Sequence, residues 1–248
     1  MEHKKVSVLG VSFENKTKGT ILKELMKRIQ NNKKTFVVTA NPEIVMYAKK
    51  HPSYMSLVKE ADYVVADGIG IIKGSRMLGT PIVERVAGYD LMISLLAEAN
   101  RQGSRVYLLG AKEDVLQSTV KRVQERYPAI QIVGARNGYF DLSDTSVIDQ
   151  VQQTKPDMVF VAIGYPRQEK WIHQYLQSAS KGLLMGVGGS FDVLSGKSKR
   201  SPKIFIQLNA EWLYRLIRQP YRIKRMMALP HFLHEVRQEK KNIRDKQS

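Results

Sequence analysis

Short runs of β-forming residues alternate along this chain with stretches whose apolar residues recur every three or four positions. Val6, Val8, Leu9, Val11 and Phe13 make residues 4–13 read as one strand. Further strands are predicted over 36–40, 61–66, 105–109, 130–134, 158–163 and 183–187. Between them, Ile21, Leu22, Leu25 and Ile29 lie on one face of a helix that Thr17 or Thr20 can cap. Asn41 followed by Pro42 is an N-cap with proline in the first turn. Apolar helices are predicted over 91–100, from about 112 to 127, and around Trp171, Ile172, Tyr175 and Leu176. Strands that alternate with helices predict βαβ units. The fold class expected is α/β, a Rossmann-like core with a mostly parallel sheet flanked by helices.

The pattern changes near residue 197. Ile204, Leu208, Trp212 and Leu216 are spaced by four, so the segment to about Arg218 reads as an amphipathic helix. Arg215, Arg218, Arg222 and Arg225 form one basic stripe if Pro220 only kinks that helix or starts a second. Residues 240–248 are polar and are expected to fray. The domains expected are thus an α/β catalytic core over 1–196 and a basic, amphipathic helical appendage over 197–248.

Charge sharpens this division. The 248 residues carry a formal net charge of +17, and residues 197–248 hold 14 Lys/Arg against 4 Asp/Glu. Such a balance implies an anionic partner. Basic residues beside Trp212, Tyr214, Tyr221, Met226, Met227 and Phe232 suit an anionic lipid surface, a nucleic acid or a plain solvated face. No stretch approaches the ~18 apolar residues of a membrane span, and no long apolar run follows the N-terminus, so neither a transmembrane helix nor a secretory signal is expected. The chain has no cysteine, which removes disulfides and thiolate chemistry. Its five histidines are scattered, and only His231 and His234 are close, without acidic residues spaced to help them hold a metal.

Candidate chemistry gathers at the ends of the predicted strands, where open α/β sheets bind ligands. The second strand runs out into Thr39 and Asn41, and the third into Asp67-Gly68. Asp67 is placed to take a proton from an attacking hydroxyl, or equally to make an Asx turn or cap the next helix. Thr39 suits orienting a substrate hydroxyl, and Asn41 capping or binding a ligand. Gly186-Val-Gly188-Gly189-Ser-Phe191 begins like a dinucleotide loop but has Phe at the third glycine position, and Ser195-Gly196-Lys197-Ser198 lacks the first glycine of a P-loop. The glycines after that strand still let backbone N–H groups approach a pyrophosphate. No two aspartates stand two residues apart, so the Asp-x-Asp of metal-dependent sugar transfer is missing. A leaving pyrophosphate would then be met by backbone N–H groups and cations such as Arg85 and Arg167.

Six blocks, taken together, resemble one family: Thr39-Ala-Asn-Pro-Glu43, Ala66-Asp-Gly-Ile-Gly70, Arg85-Val-Ala-Gly-Tyr-Asp90, Gly164-Tyr-Pro-Arg-Gln-Glu-Lys170, Gly186-Val-Gly-Gly-Ser-Phe-Asp192 and Asn209-Ala-Glu-Trp212. They are similar, in order, to the WecG/TagA/CpsF glycosyltransferases. Asp67-Gly-Ile and the Pro-Tyr-Arg-Ile-Lys-Arg-Met run of the tail favour the branch that transfers N-acetylmannosamine.

The resemblance implies an inverting transfer from UDP-N-acetylmannosamine to the 4-hydroxyl of GlcNAc on undecaprenyl pyrophosphate. The product would be the β-1,4 linkage unit of wall teichoic acid. It implies Asp67 as general base, Thr39 and Asn41 as pocket residues, and Arg85 and Gln168 as substrate contacts. Gly186, Gly188, Gly189 and Asp192 would lie near the nucleotide, and Arg215, Arg222 and Arg225 would meet pyrophosphate. No cofactor is expected, and the reaction would be metal-independent. The partners implied are the UDP-sugar donor, the lipid-linked acceptor and an anionic membrane surface, with no nucleic acid. The implied location is the cytoplasm, peripheral on the inner face of the plasma membrane, and a homo-oligomer stays open. Two alternatives remain. One is the same fold with another UDP-sugar, since no residue accounts for refusal of a carboxylate at C6. The other, more remote, is a basic nucleic-acid-binding α/β module supported by charge alone.

Overall fold

The computed structural model describes residues 5–199, 201–202, 204–205, 214 and 227–245. Its centre is a six-stranded sheet. The strands are β3 (Thr35–Ala40), β4 (Tyr63–Ala66), β5 (Arg105–Gly110), β6 (Gln131–Arg136), β7 (Met158–Ala162) and β8 (Leu183–Gly186), in the order β4-β3-β8-β7-β5-β6. Every pairing in it is parallel. All six C-terminal ends therefore open on one edge.

Helices cover both faces, as an all-parallel sheet requires. One layer holds α2 (Pro42–Lys50), α3 (Pro52–Lys59), α4 (Ile69–Met77), α7 (Ser146–Gln153) and α8 (Arg167–Ser178), with Ile44, Val58, Ile71, Val151 and Trp171 in its core. The other holds α1 (Lys18–Gln30), α5 (Gly88–Gln102), α6 (Glu113–Arg126) and α9 (Ser190–Leu194), with Leu25, Leu95, Val123 and Phe191 buried together. Strand alternation divides β3 between them: Phe36, Val38 and Ala40 face the first layer and Val37 the second. The caps follow the sequence. Thr17 accepts from the Thr20 backbone N–H at the start of α1, and Asn41 accepts from Ile44 N–H at the start of α2.

One local expectation is corrected. Residues 4–13 are not one strand but a hairpin, β1 (Val6–Val8) and β2 (Val11–Phe13), in an antiparallel sheet of its own. The turn is Leu9-Gly10, with φ of 51° and 82°. Both central residues are left-handed, as tight hairpin turns demand, and the slip in alternation between Val8 and Val11 is its trace in the sequence. The stretch from Gly186 to Phe191, which begins like a dinucleotide loop, gives way to α9 at Ser190. Residues 240–245 continue the last helix, α10, which runs over Ala228–Asp245.

Helix α10 packs on α2 and α4. Phe232 and Val236 are fully buried. They lie where a Cβ on Gly74 would come within 2.9 Å of the Phe232 ring. Leu229 sits over Gly70, whose added Cβ would be 2.7 Å from its Cδ1 and 2.5 Å from Pro42 Cγ. Further on, Glu239 accepts the Leu9 backbone N–H at 3.1 Å, and Glu235 pairs with Lys49. The chain's last helix is thereby joined to its first hairpin.

Candidate active site

The ends of β3 and β4 are tied together by backbone. Asp67 N–H donates to Ala40 O at 3.0 Å, and Val86 N–H donates to Ala66 O at 3.0 Å. The second bond brings the Arg85-Val86-Ala87 segment to the tip that carries Asp67. Both Asp67 and Arg85 are half-buried there. Gly88, the first residue of α5, lies against Thr39, with room for no more than about 3.0 Å between an added Cβ and the threonine methyl. Thr39 is buried, and its hydroxyl donates to Gly186 O at 3.0 Å. That bond joins the tip of β3 to the glycine loop of β8.

Gln168 lies under the same loop. It is buried, its Oε1 accepts from Gly188 N–H at 3.2 Å, and its Nε2 donates to Glu169 Oε1 at 2.8 Å. Farther along the edge is a cleft of about 500 Å³ lined by, among others, Lys112, Tyr139, Arg167, Gly188, Asp192 and Lys197. It lies over the ends of β5, β7 and β8. Tyr139 is 70% exposed at its margin. Arg167 donates to Phe140 O at 2.6 Å, and Lys197 pairs with Asp114. Ser198 N–H donates to Asp192 O at 2.8 Å, which holds the chain beside the cleft as it leaves the core.

The residues singled out in the sequence therefore fall on one edge in two neighbouring groups. Asp67, Thr39 and Arg85 stand at the β3–β4 end. Gly188, Gly189 and Asp192 stand at the β8 end, with Gly186 and Gln168 buried beneath. Asn41 caps α2 at the first group. Arg215, Arg222 and Arg225 lie outside the described residues. Sequence reasoning passed over Lys112, Tyr139 and Lys197 as cleft residues. Gly110-Ala-Lys112 after a strand and Asn137-Gly-Tyr139 in a loop were the available signals, but only the sheet order places both beside β8. Among the described residues, no group of three His, Cys, Asp or Glu side chains is arranged to hold a metal ion.

The model for the glycosyl transferase WecG/TagA/CpsF family matches residues 6–246. The chain belongs to this family. Its relatives in the WecG/TagA/CpsF family include an N-acetylglucosaminyldiphosphoundecaprenol N-acetyl-beta-D-mannosaminyltransferase of Staphylococcus aureus (strain MW2). It is 39% identical over 242 residues, covering 97% of this chain and 95% of the relative. A protein of the same name from Bacillus spizizenii (strain ATCC 23059 / NRRL B-14472 / W23) is 42% identical over 205 residues, covering 83% and 79% of the two chains.

The electrostatics of this WecG/TagA/CpsF-family site are mixed. Lys112, Arg167 and Lys197 bring positive charge to the cleft, and Asp192 adds one carboxylate. Below the glycine loop, burial pushes the Glu169 carboxyl above the ordinary carboxylate range. The buried Tyr54 phenol is also pushed up, chiefly by desolvation and then by Glu169.

Proposed function

We propose that the protein transfers N-acetylmannosamine from UDP-N-acetylmannosamine to the 4-hydroxyl of GlcNAc on undecaprenyl pyrophosphate. The product is the β-1,4 disaccharide linkage unit of wall teichoic acid. The observation that carries this reading is the 39% identity over 97% of the chain to a relative named for that sugar and that lipid-linked acceptor. The arrangement of the sheet edge supports it. A carboxylate stands at one end and a nucleotide-sized cleft with three cations at the other.

In this reading the nucleotide occupies the cleft. The exposed Tyr139 ring offers a face to the base, Asp192 accepts from a base or ribose group, and Lys112, Arg167 and Lys197 meet the phosphates. The acceptor hydroxyl lies at Asp67. Asp67 takes its proton while the oxygen attacks the anomeric carbon from the face opposite the donor phosphate. The bond from that carbon to the phosphate oxygen breaks, UDP leaves, and the anomeric configuration inverts. Arg85, with Arg215, Arg222 and Arg225, offsets the charge of the donor and lipid pyrophosphates. Neither a cofactor nor a metal takes part, in keeping with the missing Asp-x-Asp.

A lipid-linked acceptor supports a location on the inner face of the plasma membrane, with attachment through the basic segment after residue 197. No helix among the described residues is long and apolar enough to cross a membrane. The chain leaves the core at the cleft, where Lys197 and Ser198 are held, and returns at Leu229 beside Gly70, two residues after Gly68. The described residues that flank the arginine-bearing stretch thus lie at the two ends of the proposed site.

The test is product analysis with UDP-N-acetylmannosamine and a short-chain lipid-pyrophosphate-GlcNAc acceptor, with and without EDTA, beside a panel of other UDP-sugars. A β-linked disaccharide made equally in both arms is expected. Turnover of another UDP-sugar in preference would overturn the sugar assignment, and loss of activity with EDTA would overturn metal independence.

A further inference from the structure

A buried carboxyl group stands behind the glycine loop, and no step of the proposed reaction uses it. Glu169, the third residue of α8, is 1% exposed. Its Oε1 accepts from Gln168 Nε2 at 2.8 Å. Its Oε2 is buried facing the equally buried Tyr54 hydroxyl, with which it interacts at longer than hydrogen-bond range. Burying a carboxyl group this completely costs stability, so its position calls for a return elsewhere.

The return is in the orientation of one amide. The Gln168 carboxamide has an acceptor end and a donor end. Gly188 N–H can only donate, so it requires the oxygen of Gln168 to face it. Glu169 Oε1 takes the N–H of the other end. A flipped amide would set N–H against N–H at Gly188 and oxygen against oxygen at Glu169. The space is closed as well. Gln168 lies so near Gly186 that a Cβ there would be 2.7 Å from its Nε2. Thr39 holds Gly186 O from the other side. The loop that borders the cleft is therefore gripped at Gly186 by Thr39 and at Gly188 by Gln168.

We propose that Glu169 is a positioning residue: by accepting from Gln168 it locks the amide whose oxygen pins Gly188, and so holds the glycine loop in the shape that receives the donor diphosphate. The proposal rests on the nucleotide reading of the cleft for its consequence, but not for its mechanism. Burial that favours the uncharged carboxyl leaves the lock intact, because a proton on Oε2 keeps Oε1 an acceptor.

The experiment uses the full chain labelled with ¹⁵N-glycine, and reads the Gly188 amide hydrogen exchange together with UDP affinity by calorimetry. Glu169→Met keeps the volume and removes the acceptor. It is expected to speed Gly188 exchange by about tenfold or more and to weaken UDP by about tenfold, with KM for the donor rising more than kcat falls. Glu169→Gln still offers an oxygen to Gln168 and is expected to match the wild type in both readouts. The exchanged pair Gln168→Glu/Glu169→Gln restores one donor–acceptor contact and leaves an oxygen for Gly188. It is expected to recover most of what Gln168→Glu alone loses.

Unchanged Gly188 exchange in a folded Glu169→Met protein would overturn the proposal. So would Glu169→Gln behaving like Glu169→Met, or, if Glu169→Met does not fold, an exchanged pair no better than Gln168→Glu alone. A wild-type protein that does not bind UDP would refute the nucleotide assignment of the cleft, while the exchange measurement would still decide the role of Glu169.

Discussion

Single residues at the sheet edge divide into those that face the proposed substrates and those that shape the edge. Asp67 is in the first group by position. Thr39 and Gln168 are in the second, because their hydrogen bonds run to Gly186 and Gly188. The two groups should behave differently. Asp67→Asn is expected to lower turnover by a factor of ~10² or more with little effect on UDP affinity, since a base acts on the acceptor proton; rate and calorimetric measurements on one preparation separate the two. Glu169 also predicts a pH effect on stability. Its folded pKa is raised by burial. The folded state therefore holds a proton that the unfolded chain gives up near pH ~4.3. Its contribution is fully present below that value and is lost as pH rises through the folded pKa. Denaturant melts across pH should show this fall in the wild type and its absence in Glu169→Gln. A carboxylate between two aromatic-rich segments reads in the sequence as a surface residue of an amphipathic helix. Only the packing of α8 against α3 puts Glu169 and Tyr54 together.

At the scale of elements, most of the core was legible because its periodicities are strong. β3 reads as a strand, is one, and ends at the polar tip where the sheet edge opens. The hairpin at residues 6–13 was not legible as two strands, because Leu-Gly is a weak turn signal and the runs on either side are three residues each. Helix α10 was expected as part of a basic helical appendage, but its seat on the core was not legible. Its sequence is basic and polar toward the end, yet Phe232 and Val236 are enough to seat it on α4. Phe232→Ala should therefore cost about 3–5 kcal/mol, read by denaturant unfolding, as for other buried aromatic truncations. Gly74→Val should dislodge the same contact from the opposite side. It adds a side chain where the ring already stands 2.9 Å from a Cβ position.

At the scale of the molecule, the charge and the placement of the flanking residues point the same way. More than half of the net +17 lies in residues 197–248, and most of that excess falls between Lys197 and Leu229. Basic residues at an anionic bilayer contribute about 1 kcal/mol each. Replacing Arg215, Arg222 and Arg225 together by Ala should weaken binding to vesicles rich in anionic lipid by about 3 kcal/mol, or ~10²-fold. Co-sedimentation at low salt measures this, and wild-type binding by the triple variant would refute the membrane role. Raising salt should weaken the wild type in the same direction.

The sequence by itself determined the alternation of strands and helices, the family, and the residue types available for chemistry. Those follow from hydrophobic period and from motifs that are local in the chain. The tertiary structure decided which tips are neighbours. The order β4-β3-β8-β7-β5-β6 sets Asp67 beside Thr39, Thr39 beside Gly186, and Gly188 over Gln168, although these residues are spread across more than a hundred positions. It also decided that Thr39 and Gln168 hold the loop, and that the last helix closes onto the first hairpin. The reason is physical: strand order and side-chain burial depend on packing between segments distant in sequence, which no local pattern encodes.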